Sequence, residues 1–220
     1  MSTDPEARRP LKSRSTVWAG FFSRAMLRAG LRPNLVSVMS LVFAAMAGGA
    51  AWWAFAGAGA PWVFWILAAV GIQLRLFCNL MDGLLAVEGG LKSATGELFN
   101  EIPDRLADAL ILVPLGYATG TVVGIALGWA AAVGSVFTAY VRALGAALTG
   151  IQDFRGPMAK PHRMAACTLG CLGMVVAGWQ GSAFPVLFWS LVVINAGILM
   201  TAWRRMVRLA TNLKKASNTL

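Results

Sequence analysis

Asn79-Leu-Met-Asp82-Gly-Leu-Leu-Ala-Val-Glu-Gly-Gly-Leu-Lys-Ser-Ala-Thr-Gly96-Glu-Leu-Phe-Asn100-Glu-Ile-Pro-Asp104-Arg-Leu-Ala-Asp108 places carboxylates and amides across the junction of two apolar segments. Asn79, Asp82, Gly83 and Ala86 recur at i, i+3, i+4 and i+7 and share one helical face, while Gly96, Asn100, Asp104 and Asp108 step by four along a second helix. Two such rows facing each other would make a site for metal and phosphate.

The rest of the chain supplies the setting. Of its 220 residues, 58% are hydrophobic and only 13% charged, and the mean hydropathy is +0.66. Soluble chains carry about 25% charge, so the composition points to an all-α integral membrane protein. Six apolar runs approach the roughly 20 residues that cross a bilayer: Leu35–Ala56, Trp62–Leu85, Leu98–Ala118, Val122–Leu148, Met164–Trp179 and Phe184–Arg204. The expected organisation is a basic cytoplasmic segment at 1–34 with a juxtamembrane amphipathic helix, a six-helix transmembrane catalytic domain at 35–210, and a basic cytoplasmic tail at 211–220.

Orientation follows from the cations, because Lys and Arg near spans stay cytoplasmic. Arg8, Arg9, Lys12, Arg14, Arg24, Arg28 and Arg32 precede the first run; Lys92 follows the second; Arg155, Lys160 and Arg163 follow the fourth; Arg204, Arg205, Arg208, Lys214 and Lys215 follow the last. The other connections are uncharged. Both termini and the acidic rows are therefore expected on the cytoplasmic side. The long basic lead-in, with no convincing small-residue cleavage site after the first apolar run, argues against a signal peptide. Val17–Leu31 interleaves Trp18, Phe21, Phe22, Met26 and Leu27 with Arg24 and Arg28, the pattern of a helix lying in the membrane interface. Its cations either anchor topology or attract anionic lipid. The net charge of +10 flanks spans and forms no groove-entering motif, which argues against nucleic acid as a partner.

Cys78, Cys167 and Cys171 are odd in number and sit in apolar runs, so they read as packing residues rather than a disulfide or metal framework. The lone His162, between Lys160 and Arg163, reads as solvated or phosphate-contacting rather than as a base.

Carboxylates at membrane depth are costly unless neutralised, which makes the acidic rows a functional hypothesis. Either a divalent ion held by oxygen ligands neutralises them and binds substrate phosphates, or they line a cation path. Gly83 and Gly96 favour the first, since a missing side chain lets a bulky ligand approach the backbone.

The spacing resembles that of the CDP-alcohol phosphotransferases, whose pattern is D-x-x-D-G-x-x-A-R, eight residues, then G-x-x-x-D-x-x-x-D. The chain gives Asn79, Asp82, Gly83, Ala86 and Val87, the eight residues Glu88 to Thr95, then Gly96, Asn100 and Asp104. Arg32-Pro-Asn-Leu-Val-Ser37 is similar to the segment by which that family enters its first span. Three positions depart from the pattern: Asn79 and Asn100 replace aspartates, and Val87 replaces an arginine.

The resemblance implies a phospholipid-synthesis transferase that moves a phosphatidyl group from CDP-diacylglycerol, or a similar CDP-linked donor, to the hydroxyl of an acceptor alcohol, releasing CMP. It implies Mg²⁺ or Mn²⁺, one or two ions, held by Asp82, Asp104, Asn79 and Asn100, with Asp104 as the base. The two asparagines supply no charge, so a single ion, a weaker second ion or a further local acid is expected, the acid to come from Glu88, Glu97, Glu101 or Asp108, with Asp108, one helical step beyond Asp104, preferred. Gly83, Ala86 and Gly96 would face the nucleotide. Arg75, one turn before Asn79, either replaces the arginine missing at Val87, which in the family helps hold the nucleotide, or pairs with Asp82. Arg142, Lys160 and Arg163 would hold the phosphate of a phosphorylated polyol acceptor. A homodimer in a bacterial inner membrane is the usual setting, and a diverged, non-catalytic binder of nucleotide-lipids or partner proteins is the alternative reading. Pro103 either delays the start of the second acidic helix or kinks it.

Overall fold

A computed structural model describes residues 16–57, 59–91, 95–181 and 185–217, the side chains of Glu88 and Ser217 excepted. Arg8, Arg9, Lys12, Arg14 and Lys92, the Glu88 side chain and the tip of the sixth expected run at Phe184 therefore lie outside the described residues. All described secondary structure is helical: α1 (Val17–Arg28), α2 (Pro33–Phe55), α3 (Pro61–Glu88), α4 (Gly96–Tyr117), α5 (Val122–Thr149), α6 (Lys160–Trp179) and α7 (Val186–Ser217).

Local sequence explains the breaks. Proline opens α2 and α3 and lies in the first turn of α6, where its missing N–H has no helical partner to lose. The Thr121 side chain accepts a 3.0 Å hydrogen bond from the Gly124 N–H and caps α5. At the other end of α5, Gly150 adopts φ of 73°, a conformation that favours glycine. The six expected runs coincide with α2 to α7, and Val17–Leu31 with α1. Four of the helices are long and apolar enough to cross a membrane: Pro33–Phe55, Pro61–Val87, Val122–Thr149 and Val186–Ala216. The other two long helices, α4 and α6, carry Asp104, Asp108, Lys160 and Arg163, while Arg75 and Asp82 lie on α3. α4 begins at Gly96 and runs through Pro103, which is buried within it.

Helix packing closes a ring. α2 lies against α3 and α4, α4 against α5, α5 against α7, α7 against α6, and α6 against α3. Without water to drive helices together, such contacts depend on close approach of small residues. A Cβ at Gly48 on α2 would lie 2.1 Å from the Leu110 carbonyl oxygen on α4, and one at Gly116 on α4 would lie 2.8 Å from Gly128 Cα on α5. Ile72, Ile111, Leu112, Met164, Leu191 and Ile194 fill the ring's apolar core. Outward, Leu199, Leu169, Trp203 and Val133 are exposed, as lipid-facing side chains should be.

α1 packs outside the ring on α3. Trp18 and Phe22 lie 6.4 and 5.4 Å from the Phe77 ring, while Val17 and Phe21 point outward. The apolar face thus divides between the bundle and the surroundings.

Candidate functional site

The acidic rows meet inside the ring, where α3 and α4 flank α2 and α6 closes behind α3. Asp82 on α3 is 4% exposed and Asp104 on α4 8%. Asp82 Oδ2 accepts a 2.7 Å hydrogen bond from the Ser37 hydroxyl on α2, so Ser37 ties the first span to the site. Its Oδ1 is buried without a hydrogen-bond partner. Lys160 and Asp104 lie within electrostatic reach of Asp82.

Behind them is a buried charge triad. Asp108, fully buried, receives Arg75 Nη2 on Oδ1 at 2.7 Å and Arg163 Nη2 on Oδ2. Arg75, also fully buried, donates to the Asp104 carbonyl at 3.2 Å and comes within 3.6 Å of Asp104 Oδ1. Lys160, at the first turn of α6, forms an ion pair with Asp104 Oδ1. Three carboxylates, Asp82, Asp104 and Asp108, are thereby matched by three cations, Arg75, Lys160 and Arg163. Buried charge survives only with such pairing.

The remaining sequence candidates are placed as follows. Asn79 is half-buried, and its Nδ2 has no partner. Asn100 is exposed in the first turns of α4, and Gly96 is that helix's first residue. Gly83 and Ala86 are half-buried on α3, and Val87 is exposed. The pairing of Arg75 with Asp82 is not what the structure gives: Arg75 holds Asp108 and approaches Asp104, because its side chain crosses from α3 to α4. Arg142 stands apart from Lys160 and Arg163, bonded to Glu101 and stacked on Phe154 with its guanidinium 5.0 Å from the ring centroid. Glu101 also receives Arg105, one turn along α4. His162 is exposed. Cys78, Cys167 and Cys171 are free and buried, consistent with packing.

A second polar region lies at the ends of α5 and α7. A cavity of about 520 Å³ is lined by Arg142, Asp153, Phe154, Arg155, Arg205 and Arg208 among others. Asp153 bridges Arg155 Nε at 3.0 Å and Arg208 Nη1 at 2.7 Å. Burial raises its pKa, but the bonds from Arg155 and Arg208 outweigh that and hold it below the usual carboxylate range. Arg205 reaches the Thr138 carbonyl at 2.7 Å. The sequence suggested Arg142 here but gave Arg205 and Arg208 only a topological meaning. The signal was their i, i+3 spacing on the last helix, which puts both on one face.

The donor set can be tested against the Mg²⁺ or Mn²⁺ the motif implies. Such ions need several oxygen ligands, usually with carboxylate charge among them. Asp104 and Asp108 are committed to Lys160, Arg75 and Arg163, Asn79 and Asn100 carry no charge, and Asn100 is exposed. Asp82 keeps one buried oxygen, Oδ1, without a partner, and the ion pairs of Asp104 run through its Oδ1. Among the described residues, no three Asp, Glu, His or Cys side chains form a group that could hold an ion without substrate oxygens. The residues present do not fit the implied ions.

Solved structures share the fold. Phosphatidylinositol phosphate synthase of Mycobacterium tuberculosis, solved with CDP-DAG bound, superposes with a TM-score of 0.68 at 18% identity over 87% of this chain and 92% of that one. The same protein in complex with manganese and citrate gives 0.69 at 19% identity over 88% and 89%, and its apo form 0.65 at 21% over 86% and 95%. The fold is shared. In sequence, the inner membrane protein YnbA of Escherichia coli is 24% identical over 144 residues, 65% of this chain and 69% of that protein. No protein-family model matches the chain.

Proposed function

We propose that this protein is an inner-membrane transferase that moves a phosphatidyl group from CDP-diacylglycerol, or a similar CDP-linked lipid, to the hydroxyl of an acceptor alcohol. The observation that carries this reading is the position of Asp82 and Asp104, which keep the motif spacing in sequence and face one interior in space, on a fold shared with a synthase solved with CDP-DAG. On this reading α2 to α7 all cross the membrane and both termini are cytoplasmic. The charged faces of α4 and α6 then turn into the ring rather than into lipid.

The reaction forms one bond and breaks one. The acceptor oxygen attacks the β-phosphorus of the donor, and the bond from that phosphorus to the bridging oxygen breaks, releasing CMP. The hydroxyl proton passes to the Asp104 carboxylate, whose second oxygen is left to Lys160. Lys160 and Arg163, with Arg75 behind them, supply positive charge where the pyrophosphate oxygens would lie. Asp82, fixed by Ser37, sets the position of α3 beside the nucleotide. The cavity lined by Arg142, Arg205 and Arg208 suits the phosphate of a phosphorylated polyol acceptor.

A second reading is favoured by Asn79, Asn100 and the pairing of Asp104 with Lys160: a fold that binds nucleotide-lipid without turning it over. Purified protein in lipid, given CDP-diacylglycerol and a panel of acceptor alcohols with and without phosphate, separates the two. Acceptor-dependent CMP release and a matching lipid product, both lost in Asp104→Asn, support the transferase. Folded protein that binds the donor but releases no CMP with any acceptor supports the second reading.

A further inference from the structure

The hydrogen-bonding capacity left over inside the ring lies mainly on the donor side. Nε and Nη1 of Arg75, Nε of Arg163 and Nδ2 of Asn79 are buried without partners. Against them, the fully buried acceptor left without a partner among the described residues of the ring is Asp82 Oδ1, since Asp104 Oδ1 is held by Lys160. A divalent cation needs the opposite, a surplus of oxygen acceptors and negative charge. Buried N–H groups left unpaired are costly, and the group that relieves them is an acceptor-rich anion.

The geometry points to a site that carries its own counter-charge: Arg75, Lys160 and Arg163 occupy the electrostatic place of the divalent ions, and the phosphate oxygens of the ligand bind to nitrogen donors directly, with no ion taken up by the resting protein. The substitutions at Asn79 and Asn100 agree with this. Removing two carboxylates while burying Arg75 against Asp108 leaves the cluster near neutrality without a metal, whereas two divalent ions added to the same residues would leave it strongly positive. Lys160 is the cation with access to ligand, its side chain 19% exposed where those of Arg75 and Arg163 are 0% and 3%. Arg75 and Arg163 hold Asp108 and so position α3, α4 and α6 about the ligand.

The identity of the ligand rests on the transferase-fold reading above; the absence of an ion does not. Both are tested on the full-length wild-type protein in phosphatidylcholine nanodiscs after removal of metal by EDTA and exchange into EDTA-free buffer. In the first arm Mn²⁺ is titrated into ligand-free protein and the free-ion electron paramagnetic resonance signal is followed. The expected result is a signal unchanged by stoichiometric protein. Saturable loss of signal that disappears in Asp82→Asn would overturn the inference.

In the second arm the shift in melting temperature produced by CDP-diacylglycerol is compared in EDTA and in Mg²⁺. Equal shifts are expected, and Lys160→Met should lose them, each shift being read against that variant's own unliganded melting temperature. A shift seen only with Mg²⁺ would overturn direct recognition by the cations. No shift in either buffer would remove the nucleotide-lipid reading and leave the ion-free interior to stand on the first arm.

Discussion

The two charged regions of this protein use arginine in opposite ways. Inside the ring, Arg75 and Arg163 are 0% and 3% exposed and grip Asp108 from both sides. At the ends of α5 and α7, Arg155 is 74% exposed, Arg208 33%, and Asp153 between them faces an open cavity. The interior pairs are away from water and from salt screening, so the chain cannot lose one partner without burying a bare charge. The outer pairs can trade a protein partner for water, an ion or a ligand. Fixed charge therefore organises the helices, and exchangeable charge is available for binding.

The sharpest way to break this contrast is to remove one member of the triad. Asp108→Asn should destabilise the folded protein by about 3–5 kcal/mol, because two arginines lose their shared carboxylate. Thermal unfolding in detergent checks it. The triple replacement Arg75→Met, Asp108→Leu, Arg163→Met should recover most of that loss, since an apolar trio of similar volume leaves no unpaired charge. If the triple variant were no better than Asp108→Asn, the triad would not be the source of the penalty.

Asp104→Asn comes next. It should abolish CMP release yet cost only about 1–2 kcal/mol in the same unfolding assay, as Lys160 retains some access to water. In the outer cavity, Arg208→Ala should change stability by less than about 1 kcal/mol and show its effect as a higher KM for a phosphorylated acceptor, with kcat little altered.

Acid gives the smallest and most local effect. The pKa of Asp153 is lowered from its ordinary 3.8 by Arg155 and Arg208, against the opposing effect of burial. Its pairing therefore contributes stability above that ordinary value, and loses it as pH falls through the lower folded one. The loop between α5 and α6 should exchange amide hydrogens faster as pH drops through that window, after correction for intrinsic exchange, and Asp153→Asn should remove this dependence. High salt should mimic acid here and leave the interior triad unaffected.

Much of the architecture was legible because it is written in local composition. Six apolar runs coincide with α2 to α7, and the alternation of aromatics with Arg24 and Arg28 marks α1. Asp82 and Asp104, singled out by their spacing, are both buried and lie within electrostatic reach of each other. What was not legible depends on contacts distant in sequence. Asp108 could be recognised as an extra acid, but its partners lie 33 and 55 residues away, on helices whose rotation no local pattern fixes. The same holds for Ser37, quoted in the entry segment of the first span and found bonded to Asp82, 45 residues on. Pro103 suggested a break or kink from backbone chemistry alone. α4 starts at Gly96 and runs on to Tyr117, which excludes the late start, and with that proline buried tertiary packing outweighs one lost helical hydrogen bond.

The central claim is that protein cations, not divalent ions, neutralise the carboxylates between α3, α4 and α6. An experimental structure of the wild-type protein equilibrated with Mn²⁺ and read by anomalous scattering tests it most directly. The account expects no manganese peak beside Asp82 or Asp104, with Lys160 on Asp104 and both arginines on Asp108. One or two strong peaks among Asn79, Asp82 and Asp104, with Lys160 displaced, would contradict it.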